Sequence, residues 1–253
     1  MADVETTVDG PLLTLRLNRP DKKNALTSAM YGALADGLAR LEEDDDLRAG
    51  LLLAEGRDFC AGNDLFDFAA PAARGDEGDT ELPVARFLRA LPSATKPLLA
   101  AVRGRAIGVG ATLLLHFDLV AVAPDADIRF PFVDLGLVPE AGSTLLLPAL
   151  VGHRRAAEIL LLGRPLDAGR AVELGIATTV SDDPDATVAG WAAALAAKPV
   201  AGLLATRRLL RGDPEVILAR QAVEGRVFAE LLAGPEFAAA LARFGGPRPD
   251  PAG

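Results

Sequence analysis

Apolar and polar positions alternate with a period of two over Val4–Val8 and again over Leu12–Leu17, and Asp9-Gly10 between them predicts a hairpin. A polar loop, Asn18–Leu26, follows. The period then becomes helical: Met30, Leu34, Leu38 and Leu41 form one face of a helix that Thr27 or Ser28 can cap. Gly50–Ala54, Pro97–Val102 and Asp118–Ala123 are short, nearly continuous apolar runs, which predict strands buried on both faces, with a shorter one at Ile128–Phe130. Helices are predicted at Val84–Leu91, Gly142–Leu150, His153–Leu162 and Leu166–Leu174, the last turning through Gly175 into a short strand ending at Val180. From Pro184 the pattern is helical throughout: Ala186–Ala197, Val200–Leu210, Pro214–Leu232 and Pro235–Phe244. Strands alternating with helices, then helices alone, indicate an α/β core with a helical C-terminal subdomain. Pro71, Gly75, Gly78 and a charge run mark Phe66–Pro83 as the expected mobile loop, and GGPRPDPAG as a flexible tail. No internal sequence repeat is visible.

Two small-residue turns follow buried strands. One is Arg57–Leu65, RDFCAGNDL, and the other is Gly104–Gly110, which leads into the apolar segment Ala111–His116. Glycines let a ligand approach bare backbone, and N–H groups at a helix start lack intrahelical acceptors. A tight connection with no ligand fits either turn alone, and the glycine spacing is neither a P-loop nor GxGxxG. Together, Ala61-Gly62-Asn63-Asp64 and Gly108-Val109-Gly110 can direct two N–H donors at one oxygen, as an oxyanion hole requires.

Composition narrows the classes. The 253 residues carry a net charge of −9, which argues against a nucleic-acid partner. Mean hydropathy is +0.25, too apolar for a disordered chain, yet no run reaches membrane-span length. A single cysteine, Cys60, and an N-terminus without a secretory pattern suit a reducing cytoplasm. Cys60 reads as a small packing residue. His116, flanked by leucines and Phe117, reads as a satisfied core histidine, and it lies too far from His153 for a metal site.

FCAGNDL, KPLLAAVRGRAIGVG and VDLGLVPEAGS, in that order, resemble the enoyl-CoA hydratase/isomerase (crotonase) superfamily. NRPDKKNAL, LGRPLDAGRAVELGIA and GPEFAAALARF extend the resemblance over nearly the whole chain. It implies a crotonase-like spiral of ββα units at 1–195, bearing the acyl-CoA site, and a helical trimerisation subdomain at 196–253. It implies fatty-acid-type metabolism, a homotrimer or a dimer of trimers, and no cofactor or metal beyond the coenzyme A of the substrate. By position, the N–H groups of Asn63 and Val109 would hold the thioester oxygen. Lys22, Lys23, Ala25, Ala61, Asp64, Leu65 and Gly108 would bind the rest of the acyl-CoA, although Lys22 and Lys23 also read as solvated loop lysines. Phe244 matches a C-terminal phenylalanine that helps to hold coenzyme A, but the neighbouring lysine position holds Pro247, beside Arg248.

The family's hydratases use a pair of glutamates. Here those positions hold Thr112 and Phe132, neither of which is an acid or base at neutral pH. Glu140 remains, in a segment that resembles the Δ3,Δ2-enoyl-CoA isomerase branch, where a glutamate at this position is the acid/base. One carboxylate suffices to take a proton from C2 and return it to C4. Glu140 also reads as an N-cap or first-turn residue of the following helix. Asp64 and Asp134 are further candidate carboxylates. An isomerase is the leading expectation; a hydratase using other carboxylates, and a member that binds acyl-CoA or a protein without turnover, stay as alternatives.

Overall fold

The computed structural model describes residues 2–64 and 82–245. Leu65, residues 66–81 of the expected mobile loop, the side chain of Phe244 and the tail holding Pro247 and Arg248 lie outside the described residues. The hairpin forms as the alternation predicts: β1 (Val4–Asp9) and β2 (Leu12–Leu17) pair antiparallel, and Gly10 adopts the left-handed φ of 52° at the turn. Thr27 caps α1 (Ser28–Glu43) by accepting from the Met30 N–H at 3.3 Å. Next come β3 (Ala49–Ala54), α2 (Pro83–Ser93), β4 (Leu98–Val102), β5 (Arg105–Ile107), α3 (Val109–Thr112), β6 (Leu119–Val122) and β7 (Asp127–Arg129). They are followed by α4 (Ser143–Val151), α5 (His153–Leu162), β8 (Leu166–Asp167), α6 (Ala168–Glu173) and β9 (Thr179–Val180). The chain closes with α7 (Pro184–Ala196), α8 (Val200–Arg211), α9 (Pro214–Leu232) and α10 (Pro235–Gly245).

The larger sheet has the order β1-β2-β3-β4-β6-β9 and is parallel after the hairpin. Its register aligns Leu15, Leu52, Ala100 and Val120 across four strands, and this row faces the main core. The alternate positions Leu51, Leu53, Leu99 and Ala101 face Val188, Ala192 and Trp191 of α7. Both faces are covered, which explains the continuous apolar runs. Each fully buried leucine or valine contributes roughly 1.5–3 kcal/mol relative to exposure.

A second sheet runs beside the first. It contains β5, β7 and β8, and single bridges continue its line from Ala106 to Cys60 and from Asn63 to Leu26. Successive turns of the chain thus place one strand in the large sheet and the next stretch in the small one, producing a spiral. The stretch read as a single glycine turn, Gly104–Gly110, therefore contains β5, because Ala106 pairs with the distant Ile128. For the same reason the predicted helix Leu166–Leu174 begins as β8, paired with β7. Ala111–His116 is split between α3 and a 3-10 turn at Leu113–His116.

The C-terminal helices are tied to this core by charge. Arg207 on α8 is buried, donates from Nε to Asp118 at 2.8 Å and from a terminal nitrogen to the Ala94 carbonyl at 2.5 Å. Asp118 also accepts the Leu98 N–H at 2.8 Å. Among the described residues no single helix is long and apolar enough to cross a membrane. Asp118→Ala would leave the Arg207 charge without its anion. Unfolding in urea is expected to show a loss of about 3 kcal/mol, the low end for breaking a buried pair because Asp118 is partly exposed; a loss under about 1 kcal/mol would contradict this.

Candidate active site

The two donor turns meet. Leu26 donates its N–H to Gly62 at 2.8 Å, and Asp64 donates to Leu26 at 2.8 Å, so Asn63 between them turns its own N–H away from Leu26. That direction is the side on which Cys60 pairs with Ala106, through Cys60 N–H to Arg105 and Ile107 N–H to Cys60, both 2.9 Å. Asn63 and Val109 each stand three residues beyond that bridge, and a Cβ on Gly108 would lie 4.0 Å from the Cα of Gly62. Val109 opens α3 after Gly108, so its N–H belongs to the first turn, where no intrahelical acceptor exists. Close approach depends on glycine here. A Cβ on Gly110 would lie 2.7 Å from the Cys60 carbonyl oxygen, and one on Gly62 would lie 3.1 Å from that of Ile107. Cys60 itself is buried and its thiol is pushed up to about 12 by burial, so it packs rather than attacks.

The polar loop of residues 18–26 is bound to the first turn by Asn24, which is fully buried. Its amide donates to the Glu55 and Asp58 carbonyls at 2.9 and 2.8 Å and accepts from the Arg19 N–H at 2.8 Å. Lys23 and Asn24 both take φ of 53°, and Lys23 receives the Ala61 N–H at 2.9 Å. Arg19 reaches the Ala25 carbonyl at 3.0 Å and the Asp64 carboxylate at 2.8 Å. Lys22, Lys23, Ala25, Ala61 and Asp64 are thereby gathered beside the Asn63 turn, with both lysines exposed. Tyr31, which sequence reasoning missed, is buried and donates its hydroxyl to the Asn63 side chain, with the Phe87 ring at 5.7 Å. A lone tyrosine beside the apolar helix position Met30 was its only signal.

Glu140 is 7% exposed. Its Oε1 accepts from the Thr112 hydroxyl at 3.3 Å, and Thr112 stands one helical turn after Val109. Burial raises the Glu140 pKa to about 7; the Thr112 hydrogen bond opposes this and the charge of Glu224 adds to it. Phe132, at the second hydratase position, is buried and apolar. The reading of Glu140 as a cap of α4 is not met. Gly142 occupies the cap position, and Glu224 of α9 accepts the Gly142 and Thr144 N–H groups at 2.6 and 2.9 Å. Glu224 gave no signal in the sequence, since it lies 82 residues from Gly142.

Ala141 and Gly142 are both left-handed, with φ of 61° and 72°. For alanine this costs roughly 1–2 kcal/mol. His116 Nε2 donates to the Ala141 carbonyl at 2.7 Å, while Nδ1 has no partner among the described residues. The expected satisfied core histidine is thus satisfied on one nitrogen only. Burial lowers its pKa to about 4, so the ring is neutral. The other carboxylates are engaged or exposed: Asp64 is paired with Arg19, and Asp134 lies exposed near Gly163. A buried carboxyl titrating near 7 can take and return a proton at neutral pH, and the Asn63 and Val109 N–H groups, which have no acceptor among the described residues, can stabilise an oxyanion.

Comparison with known proteins identifies the family. Residues 8–213 match the family model described as enoyl-CoA hydratase/isomerase. The chain is 40% identical over 202 residues to the 1,2-epoxyphenylacetyl-CoA isomerase of Escherichia coli, covering 78% of this chain and 77% of that protein. It is 35% identical over 244 residues to a Mycobacterium tuberculosis protein named "Probable enoyl-CoA hydratase", covering 93% and 94%. A solved enoyl-CoA hydratase/isomerase from Pseudoalteromonas atlantica superposes with a TM-score of 0.91 at 42% identity, over 96% of both chains. The chain belongs to the enoyl-CoA hydratase/isomerase family, and its fold is that family's crotonase-like α/β spiral with a helical C-terminal region.

Proposed function

We propose that this acyl-CoA enzyme moves the double bond of a 3-enoyl-CoA to the 2-position, with Glu140 as the single acid/base. The observation that carries the reading is one buried carboxyl with a pKa near 7, hydrogen-bonded to Thr112 where a hydratase would have its first glutamate. The thioester oxygen accepts from the Asn63 and Val109 N–H groups. The Glu140 carboxylate takes a C2 proton, the electron pair spreads through the thioester to its oxygen, and the same proton returns at C4. Two-donor stabilisation is the main electrostatic term; losing one such donor costs about 2.7–4 kcal/mol. Lys22 and Lys23 face the coenzyme A phosphates, while Ala25, Ala61, Asp64 and Gly108 border the rest; Leu65, also expected there, lies outside the described residues. No cofactor beyond the substrate's own coenzyme A enters these steps, which suit a cytoplasmic enzyme. Among the described residues the other buried carboxylate is Glu224, which spends both oxygens on Gly142 and Thr144, so water addition finds no second acid/base there. The hydratase name carried by the mycobacterial relative makes that activity the comparison to run.

Glu140→Gln keeps the shape and removes the proton shuttle. Activity on 3-enoyl-CoA is expected to fall by about 10²–10⁴-fold with acyl-CoA binding retained, and wild-type hydration of 2-enoyl-CoA to be far slower than isomerisation. A fully active variant, or hydration outpacing isomerisation, would sink the reading. Since the carboxylate form is the base, wild-type kcat/KM should rise with pH through about 7.

The same group affects stability. Its folded pKa of about 7 exceeds the ordinary glutamate value of 4.5, so the folded state holds more protons between these values and loses stability as pH rises through that window. Glu140→Gln removes this loss. Urea unfolding should find the variant more stable than wild type by about 1–3 kcal/mol at pH 8 and little changed at pH 4; equal stability at pH 8 would contradict a desolvated Glu140.

We assign the enzyme as a homotrimer, or a dimer of trimers. Leu209 and Leu210 on α8 are 79% and 83% exposed, and Val216 and Val223 on α9 are 58% and 46% exposed, more apolar surface than one helical pair leaves bare. Light scattering at micromolar concentration should report three or six chains; a monomer would refute this.

A further inference from the structure

The peptide group between Ala141 and Gly142 has both polar atoms held by buried side chains. Its C=O accepts from His116 Nε2 at 2.7 Å, and its N–H donates to Glu224 Oε2 at 2.6 Å. His116 is 0% exposed and Glu224 is 5% exposed. They come from distant elements, the 3-10 turn after α3 and the middle of α9. Each is itself anchored. The His116 carbonyl accepts from Arg211 of α8 at 2.5 Å, and the second Glu224 oxygen accepts from the Thr144 N–H and hydroxyl at 2.9 and 2.5 Å.

This peptide lies between two successive left-handed residues, the ones through which the chain passes from Glu140 into α4. Rotation there would swing the Glu140 side chain. Packing alone explains neither clamp residue. An apolar side chain would fill the place of His116 without leaving Nδ1 unpartnered, and would fill that of Glu224 without burying a charge. Ile217, about two turns before Glu224 on α9, abuts Gly142 so closely that a Cβ there would lie 2.7 Å from its Cγ2. The turn is thus held by hydrogen bonds at its central peptide and by contact at its second residue.

We propose that His116 and Glu224 are positioning residues, which clamp the Ala141–Gly142 peptide at its two ends and so hold the Glu140 carboxyl in its working orientation. This rests on Glu140 being the acid/base. His116 acts as a neutral donor through Nε2. Glu224 acts as an acceptor and also through its charge. The groups around Glu140 are Thr112 on α3, Tyr31 on α1, Cys60 in the first donor turn and Glu224 on α9, with Arg220 beyond Glu224 on Thr144 and Arg211 beyond His116. Tyr31 and Cys60 are held protonated by burial, so Glu224 is the negative charge acting on Glu140 among the described residues.

The test measures kcat, KM and the pH midpoint on a 3-enoyl-CoA for Glu140→Gln, His116→Leu, His116→Gln and Glu224→Gln. Inactive Glu140→Gln establishes the acid/base. His116→Leu should then lose about 10–100-fold in kcat, the scale of a small misplacement of a reacting group, with KM within about twofold of wild type. His116→Gln, whose amide nitrogen can stand where Nε2 stands, should recover most of it. Glu224→Gln should lower kcat and also lower the pH midpoint by about half a unit or more. If His116→Leu does not fold, His116→Asn, with an amide too short to reach the carbonyl, replaces it. Wild-type kcat and midpoint in the His116→Leu and Glu224→Gln variants, beside an inactive Glu140→Gln, would overturn the clamp alone. A glutamine variant as slow as the leucine variant would also overturn it. An active Glu140→Gln would overturn the acid/base reading and the clamp with it.

Discussion

The close approach of the chain at Gly62, Gly108 and Gly110 sets the position of both donor turns. A methyl group on Gly110 would press into the Cys60 carbonyl, and one on Gly62 would crowd that of Ile107. The Cys60–Ala106 bridge joins the two stretches, and Asn63 and Val109 each follow it by three residues. The spiral makes this meeting possible. Each turn of chain adds a parallel neighbour to the large sheet, and the short stretch after it lands beside the previous one in the small sheet. The hydrophobic row Leu15, Leu52, Ala100 and Val120 holds the register from which these stretches depart.

Against that rigid pair of turns the fold sets one costly group. Burying the Glu140 carboxyl penalises its charged form, and the single hydroxyl of Thr112 offsets this only in part. The cost has a chemical use. A carboxyl titrating near neutrality is a competent base before reaction and a competent acid after it. The backbone beneath it is held by a neutral imidazole and a second carboxylate, rather than by a helix cap of its own. A buried carboxyl titrating near neutrality and local strain thus occur together, in residues 140–142.

Much of this was legible in the chain. The Asp9-Gly10 hairpin, the Thr27 cap, the buried strands and the C-terminal helices follow from period and punctuation, and the donor turns follow from small residues after apolar runs. The strands β5 and β8 were not, because two or three residues carry no period and their partners lie elsewhere in sequence. The spiral repeats in backbone pairing without any repeat of side chains. At the site, Glu140 stood out by position, but the burial that raises its pKa is a product of the fold, and the groups that modify it, Thr112 lowering and Glu224 raising, are 28 and 84 residues away in the chain. His116 was recognisable as buried; that its ring holds the residue after Glu140 was not, since only the folded turn brings Ala141 to it.

The central claim is that one sheltered carboxyl carries a proton from C2 to C4 without adding water. The most direct measurement follows a 3-enoyl-CoA deuterated at C2, converted in water enriched in oxygen-18. A single buried acid/base predicts deuterium at C4 of the 2-enoyl product and no oxygen-18 at C3. Oxygen-18 at C3, with no deuterium carried to C4, would contradict the account.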